Sequence, residues 1–184
     1  MDDAYDFPLI LRTQPFSDLN EEEARRLFAA CATVREVRAE QQIFPADSHG
    51  TELYLLRRGW VRVEISPSGS SGGSRQFTLQ GPCVFGELSF LDGSPRSASA
   101  TAENTLRLYL LHRDQFLRFL ADDPALGLRL MLSLSALVAQ KVRQTNRVLL
   151  EEMARQRELL QVGGHAVATR YREVVENFAF HMQI

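Results

Sequence analysis

The sequence lacks the residue sets that several kinds of functional site require. Its two cysteines, Cys31 and Cys83, are too few for a disulfide framework and match no metal-ligand spacing. Its four histidines share no metal-ligand spacing either. We find no nucleophile–base pair and no carboxylate dyad of recognisable spacing. These absences argue against a metal site, a haem site and an enzyme, and the low cysteine content fits a reducing cytoplasm.

Basic residues do not outnumber acidic ones. Lys and Arg number 21 against 23 Asp and Glu, which gives a net charge of -2 and a pI of about 6.1. A nucleic-acid binder usually carries a basic surplus or stripe. The first sixteen residues are acidic where a signal peptide is basic, and no apolar run approaches the length of a membrane span. The sequence therefore predicts a cytoplasmic chain that binds neither DNA nor a membrane directly.

What the sequence does contain is a change of hydrophobic period along the chain. Residues 17–32 are spaced as an amphipathic helix, residues 33–111 alternate as short strands, and residues 112–161 return to helical spacing. This order predicts an α+β fold, a β-roll flanked by an N-terminal helix and a long C-terminal helix. We place the helix and roll in residues 1–123 and the long helix with a short tail in residues 124–184.

Glycine-containing segments predict where these elements end. Arg58-Gly59 lies between two strand-like runs, as the turn of a hairpin does. Ser68–Ser74 has no residue that can pack and predicts a flexible loop. Gly163-Gly164 should end the long helix, and residues 165–184 are weakly amphipathic, as a short last helix would be.

The long helix carries more apolar surface than the roll can cover. A helix from Ala125 to about Gln161 would be about 50 Å long. Its apolar stripe consists mainly of Leu126, Leu130, Leu134, Leu137, Val138, Val142, Val148, Leu149 and Met153. The uncovered part of this stripe predicts a partner helix, most simply from a second copy of the chain, and hence a homodimer.

The segment from Val84 to Ala102 has the composition of an anion site. Gly86 allows a tight turn before Glu87, so that free N–H groups at the start of a helical turn become available to an anion. A second turn at 92–95 delivers Arg96, whose guanidinium can bind two phosphate oxygens, and Ser97, whose hydroxyl adds a donor. A phosphate would repel the nearby Glu87 carboxylate unless that carboxylate accepted a hydrogen bond, and a ribose hydroxyl is a suitable donor. The set favours a ribose that bears one phosphate.

The same residues resemble a known motif. Gly-Glu-Leu, four residues, Gly, one residue, Pro-Arg-Ser-Ala is similar to the phosphate-binding cassette of cyclic nucleotide-binding domains. Such domains occur in catabolite-activator-type regulators and in regulatory subunits of cyclic AMP-dependent kinase. The resemblance covers about residues 15–160 and implies cyclic AMP or cyclic GMP as the ligand, with no metal.

The resemblance also implies roles for individual residues. Glu87 would bind the ribose, and Arg96 and Ser97 would bind the cyclic phosphate. The backbone at Gly86, Leu88 and Ala98 would line that phosphate. On the long helix, Thr145 and Asn146 fall at the positions that read the base in the activator branch, although a polar notch in a helical seam explains them equally well.

Three functions remain open at this point. The first is a non-enzymatic sensor that passes cyclic nucleotide binding to its C-terminal helix and to a protein effector. The second is a transcription regulator of the activator type that has lost its helix-turn-helix domain, since only about twenty residues follow Gly163-Gly164. The third is an interaction module without a small ligand, in which Arg96 would simply form an ion pair with Glu87.

Overall fold

Two four-stranded antiparallel sheets and five helices make up residues 4–65 and 74–163, the part of the chain that the computed structural model describes. The helices are α1 (Phe7–Ile10), α2 (Glu21–Cys31), α3 (Glu87–Asp92), α4 (Arg113–Asp122) and α5 (Pro124–Gly163). The strands are β1 (Ala32–Val37), β2 (Gln42–Phe44), β3 (Glu52–Leu56), β4 (Trp60–Ile65), β5 (Arg75–Gln80), β6 (Cys83–Phe85), β7 (Ser99–Ala102) and β8 (Leu106–His112). The predicted α+β class is confirmed. The predicted loop at Ser68–Ser74, except Ser74 itself, and the predicted helix in 165–184 lie outside the described residues.

The two sheets face each other as a β-roll. Their strand orders are β1-β8-β3-β6 and β2-β7-β4-β5. Because successive strand residues point to opposite faces, each strand of the first sheet contributes to two cores. One core lies between the sheets and includes Leu56, Val61 and Leu108. The other lies between the first sheet and the helices and includes Leu55 and Tyr109.

The turn at Arg58-Gly59 does not form the predicted hairpin. Strand β3 pairs with β6 and β8, whereas β4 pairs with β5 and β7 in the other sheet. Gly59 has a φ of +104°, which a glycine adopts readily, and a Cβ at this position would lie only 2.8 Å from the side-chain amide of Asn104. The chain therefore passes from one sheet to the other at this turn. Alternation and a turn signal look the same for such a crossing and for a hairpin, so the sequence does not distinguish the two.

Helix α2 begins at a capping box. The Asn20 side chain accepts a hydrogen bond from the Glu23 amide, and the Glu23 carboxylate accepts one from the Asn20 amide. The buried face of α2 then places Phe28 among aromatic rings on the helical side of the first sheet. These rings are Tyr5, Phe7, Phe16 and Tyr109.

The described part of helix α5 reaches Gly163, and the chain divides into two compact units between Val138 and Ala139. The sequence expectation that no stretch reaches the length of a membrane span is wrong for this helix. Pro124–Arg157 is long and apolar enough by length and composition, because only Arg129 and Lys141 interrupt its first eighteen residues. Within the first unit, however, its leucines at 126, 130 and 134 are buried in the core beside α2 and α4.

Candidate functional site

Two glycines shape the segment between β6 and β7. Gly86 has a φ of +77° and caps the N-terminus of α3, and Gly93 has a φ of +76° and caps its C-terminus. Left-handed backbone of this kind strongly favours glycine. Beyond Gly93, the Asp92 carboxylate accepts hydrogen bonds from the amide and hydroxyl of Ser94 at 2.8 and 2.6 Å. Both turns predicted from the sequence are therefore present.

Arg96 lies at the centre of the site. Its backbone is held by the loop after β2, where its amide donates to Ser48 O at 3.0 Å and its carbonyl accepts from the Asp47 amide at 2.8 Å. Its side chain is only 2% exposed. The guanidinium Nη1 donates to Gly86 O at 3.1 Å, and Nη2 donates to the backbone oxygen and the carboxylate of Glu52 at 3.0 and 3.1 Å. The chain thus fixes this cation from three separate segments.

Aromatic rings form the surface beneath the guanidinium. The carbon at its centre lies 4.5 Å from the ring centroid of Phe44 and 5.3 Å from that of Tyr54. Tyr54 in turn stacks on Phe85 at 5.1 Å between centroids. Burial, together with the nearby carboxylate of Glu52, raises the pKa of the Tyr54 hydroxyl. These contacts keep the cation oriented, since a planar guanidinium packs well on aromatic faces.

One nitrogen of the guanidinium makes no hydrogen bond to the described residues. Its Nε is buried and has no hydrogen-bond acceptor among the described residues. A buried donor without an acceptor costs free energy, and an anionic oxygen is the acceptor that satisfies a guanidinium best. The residues present therefore fit a ligand that brings a negatively charged oxygen. No group of three potential metal ligands occurs within the described ranges.

The structure brings together part of the predicted residue set. Arg96 contacts Gly86 directly, and Glu87, the next residue along the chain, is buried at 8% exposure. The Leu88 and Ser97 side chains are exposed, and Ala98 is half-buried. Thr145 is exposed and Asn146 half-buried on α5, in the second compact unit. The ligand contacts of all these residues stay predictions.

Sequence reasoning missed three residues around Arg96. Glu52, Phe44 and Tyr54 precede it by more than forty positions, on β2 and β3. No local motif marks them, because strand pairing across the roll brings them to the site. Arg96 forms an ion pair with Glu52, a partner that the sequence did not suggest.

A second arginine, also missed, supports the far end of α3. Arg113 begins α4, and its Nε and Nη2 donate to the carbonyls of Phe90 and Leu91 at 2.8 and 3.3 Å. Carbonyls at a helix C-terminus lack intrahelical partners, so a cation there stabilises the helix end. Phe90 also packs against Phe116 of α4, with 5.0 Å between ring centroids. Helix α3 is therefore held between Gly86 and α4.

These features define a class of protein: a β-roll module with a buried arginine that is held by two backbone carbonyls and a carboxylate. Residues 34–123 match the family model of the cyclic nucleotide-binding domain. A solved catabolite activator protein from Thermus thermophilus is 30% identical, with a TM-score of 0.64, and the match covers 81% of this chain and 71% of that one. A cyclic nucleotide-binding domain from Methylobacillus flagellatus is 25% identical, with a TM-score of 0.70 and coverage of 79% and 81%. The chain belongs to the cyclic nucleotide-binding domain family.

The family match also bears on what kind of protein this is. A CRP-like cAMP-activated global transcriptional regulator from Mycobacterium tuberculosis is 31% identical over 105 residues, which are 56% of this chain and 44% of that protein. The chain thus spans less than half the length of this curated relative. The matching family model describes a nucleotide-binding domain and this relative is a transcriptional regulator, so neither is described as an enzyme.

Proposed function

We propose that the chain is a sensor whose β-roll binds cyclic AMP. The observation that carries the proposal is the buried Arg96 guanidinium, whose Nε has no acceptor among the described residues. A cyclic phosphate supplies two oxygens to such a group. We favour cyclic AMP over cyclic GMP because the relative from Mycobacterium tuberculosis is cAMP-activated.

Each predicted residue has a separate task in this proposal. Arg96 and Ser97 bind the phosphate, the backbone at Gly86, Leu88 and Ala98 lines it, and Glu87 accepts a hydrogen bond from the ribose hydroxyl. Thr145 and Asn146 are the candidates for contact with the base. Glu52 holds Arg96 at 3.1 Å while its own side chain remains one-third exposed, so that its carboxylate can move aside when a phosphate approaches.

Replacing Gly86 separates backbone strain from damage to the site. A Cβ at Gly86 would lie 2.7 Å from Arg96 Nη1, whereas a Cβ at Gly93 would meet no atom within 4 Å. Both glycines have positive φ, so we expect Gly86→Ala and Gly93→Ala each to lower the free energy of unfolding by about 1–2 kcal/mol. Only Gly86→Ala should also weaken cyclic AMP binding, by about tenfold, because it displaces the guanidinium.

Urea unfolding and calorimetric titration of the two variants check this prediction. Equal losses of affinity in both variants would show that the strain of the segment, and not the position of Arg96, governs binding. Unchanged affinity in both would contradict the placement of the phosphate at Arg96.

The ribose contact predicts a specific interaction between one residue and one hydroxyl. A hydrogen bond from a hydroxyl to a carboxylate contributes about 1.5–3 kcal/mol, so the protein should bind cyclic AMP about 10- to 150-fold tighter than 2′-deoxy cyclic AMP. In Glu87→Gln the preference should fall to a few-fold. Titration of cyclic AMP and 2′-deoxy cyclic AMP into the unmodified protein and into Glu87→Gln gives the coupling free energy between Glu87 and the ribose hydroxyl.

Glu22→Gln is the matched control for this cycle, because Glu22 is exposed on α2. It should keep the full preference for the ribose hydroxyl. If Glu87→Gln keeps it as well, the ribose lies elsewhere and the role of Glu87 is structural.

The signalling part of the proposal concerns α5. We propose that ligand binding changes the position of this helix, that α5 associates with a second copy to form a homodimer, and that the assembly acts on a protein effector in the cytoplasm. The exposed apolar residues of α5 support association; they are Leu128, Leu132, Val142, Val148 and Leu150. A ligand moves the helix only as far as it binds one helix position better than another. A ligand-free interaction module is the competing proposal, and it predicts no nucleotide binding at all.

A further inference from the structure

A recess lies between the N-terminal segment and the first sheet, away from the site around Arg96. Its volume is about 360 Å³, and its lining includes Tyr5, Asp6, Arg57, Arg107 and Tyr109. Tyr109 belongs to the core on the helical side of the first sheet, whereas Tyr54, which packs against Arg96, belongs to the core between the sheets. The recess and the Arg96 site therefore lie on opposite faces of the first sheet.

Strand pairing brings two arginines to neighbouring positions in this recess. Leu56 of β3 pairs with Leu108 of β8 in an antiparallel register. Continuing that register by one residue places Arg57 opposite Arg107. Like charges directly opposite each other on neighbouring strands are destabilising. An anion that contacts both guanidinium groups removes this cost.

One carboxylate already neutralises one of the two arginines. Asp6 Oδ2 accepts a hydrogen bond from Arg57 Nε at 3.0 Å and lies 2.9 Å from Arg57 Nη2. Asp6 Oδ1 accepts from the Leu9 amide at 3.2 Å, and the Asp6 amide donates to the Tyr109 hydroxyl at 3.0 Å. Asp6 is thus committed to Arg57 and to the start of α1. Two cations and one carboxylate leave the recess with a net positive charge.

Arg107 has no corresponding carboxylate. Its Nε is buried and has no acceptor, and its guanidinium forms no ion pair within the part of the chain that the structure describes. Glu36, its register partner on β1, is exposed and forms no ion pair with it. A buried donor without an acceptor costs free energy, and a charged oxygen satisfies a guanidinium better than a neutral one does.

We propose that this recess binds a phosphate group, either as free phosphate or as the phosphate of a small monoester. Arg107 donates from Nε, and Arg57 keeps Nη1 for the ligand, since its contacts to Asp6 use Nε and Nη2. One phosphate carries enough oxygens for both guanidinium groups. The volume lies at the lower end of the range of about 300–1,000 Å³ for small-molecule pockets, which favours a compact ligand.

The ligand joins the N-terminal segment to the roll. Tyr5 and Asp6 precede α1, whereas Arg57 follows β3 and Arg107 lies in β8. A ligand held between these parts stabilises the folded state in proportion to its concentration. This site does not depend on the proposed binding of a cyclic nucleotide.

NMR spectra of the backbone amides, recorded while inorganic phosphate is titrated into the full chain at constant ionic strength, test the site. We expect saturable shifts at Asp6 and Tyr109. Arg107→Gln removes the charge and should weaken binding at least about tenfold. Arg75→Gln, at an exposed position of β5, is the matched control and should bind as the unmodified protein does. Shifts that do not saturate, that sodium chloride reproduces, or that occur only in residues 86–98 would overturn the proposal.

Asp6→Asn distinguishes an anion site from a structural effect. Asparagine caps a helix as well as aspartate does, so α1 should still form. Loss of the carboxylate releases Arg57 and raises the positive charge of the recess, so phosphate should bind about threefold tighter. Unchanged or weaker binding in folded Asp6→Asn would contradict the proposed role of the two arginines.

Phenyl phosphate distinguishes the two sources of the phosphate group. Binding tighter than that of inorganic phosphate would assign the recess to a monoester, and binding no tighter would assign it to free phosphate.

Cyclic AMP titration of Arg107→Gln separates this site from the one at Arg96. We expect the affinity for cyclic AMP to stay within about threefold of that of the unmodified protein, because the two sites lie on opposite faces of the sheet. Loss of cyclic AMP affinity together with the phosphate shifts would show a single site and overturn the proposal. A protein that binds no cyclic AMP but gives the expected phosphate shifts would sink the sensor and leave this site standing.

Discussion

Arg96→Ala should abolish most of the cyclic nucleotide affinity of this protein. Truncating one partner of a buried, charge-assisted contact costs about 2–5 kcal/mol, which corresponds to about a 30- to several-thousand-fold weaker Kd. The geometry supports the large effect because the guanidinium is 2% exposed and fixed by Gly86 and Glu52. Arg96→Lys should recover little of the loss, since an ammonium cannot bind two phosphate oxygens side by side.

A folding control and a control variant are needed to interpret the binding result for Arg96→Ala. Circular dichroism and urea unfolding establish that the variant is folded, which matters because the guanidinium also satisfies two backbone carbonyls. Arg58→Ala, which removes an exposed arginine after β3, should bind as the unmodified protein does. If folded Arg96→Ala binds cyclic AMP within threefold of the unmodified protein, the phosphate does not contact this residue.

Phe28→Ala should produce the largest loss of stability among single core substitutions. Phe28 is fully buried, and its ring contacts Tyr5, Phe16 and Tyr109 at 5.4, 5.3 and 6.2 Å between centroids. Truncating a buried phenylalanine costs about 3–5 kcal/mol through lost transfer free energy and the cavity left behind. Urea unfolding monitored by circular dichroism measures the change.

A control substitution at an exposed phenylalanine and the stabilising effect of cyclic AMP give two further tests of the Phe28→Ala prediction. Phe77 of β5 is 47% exposed, so Phe77→Ala should cost less than about 1 kcal/mol. Cyclic AMP at a hundred times its Kd should restore about 2.7 kcal/mol to Phe28→Ala, because a ligand that binds only the folded state stabilises it by mass action. A cost at residue 28 no larger than at residue 77 would show that the aromatic cluster is not part of the core.

The parts of the fold and site that depend on local sequence were predictable. Gly86 and the segment 92–95 marked turns, and alternation marked the strands, because both signals reside within a few residues. The helical spacing of residues 17–32 located α2 for the same reason. The motif from Gly86 to Ala98 therefore predicted Arg96 as a candidate site residue before any geometry was known.

The parts that depend on pairing between distant segments were not predictable. A turn signal at Arg58-Gly59 suggested a hairpin, but the strands on either side belong to different sheets. Glu52 and Phe44 reach Arg96 only through the closure of the roll. Arg113 acts on α3 from twenty residues away and resembles any helix-start arginine in sequence. Such contacts arise from topology, which periodicity does not encode.

The most direct test of the central claim is a calorimetric titration of the purified, folded and ligand-free protein with cyclic AMP and, separately, with cyclic GMP. We predict saturable binding of one cyclic AMP per chain with a micromolar or lower Kd, weaker binding of cyclic GMP, and loss of both in Arg96→Ala. The absence of heat with either nucleotide, for protein whose secondary structure is intact, would contradict the sensor and favour an interaction module without a small ligand.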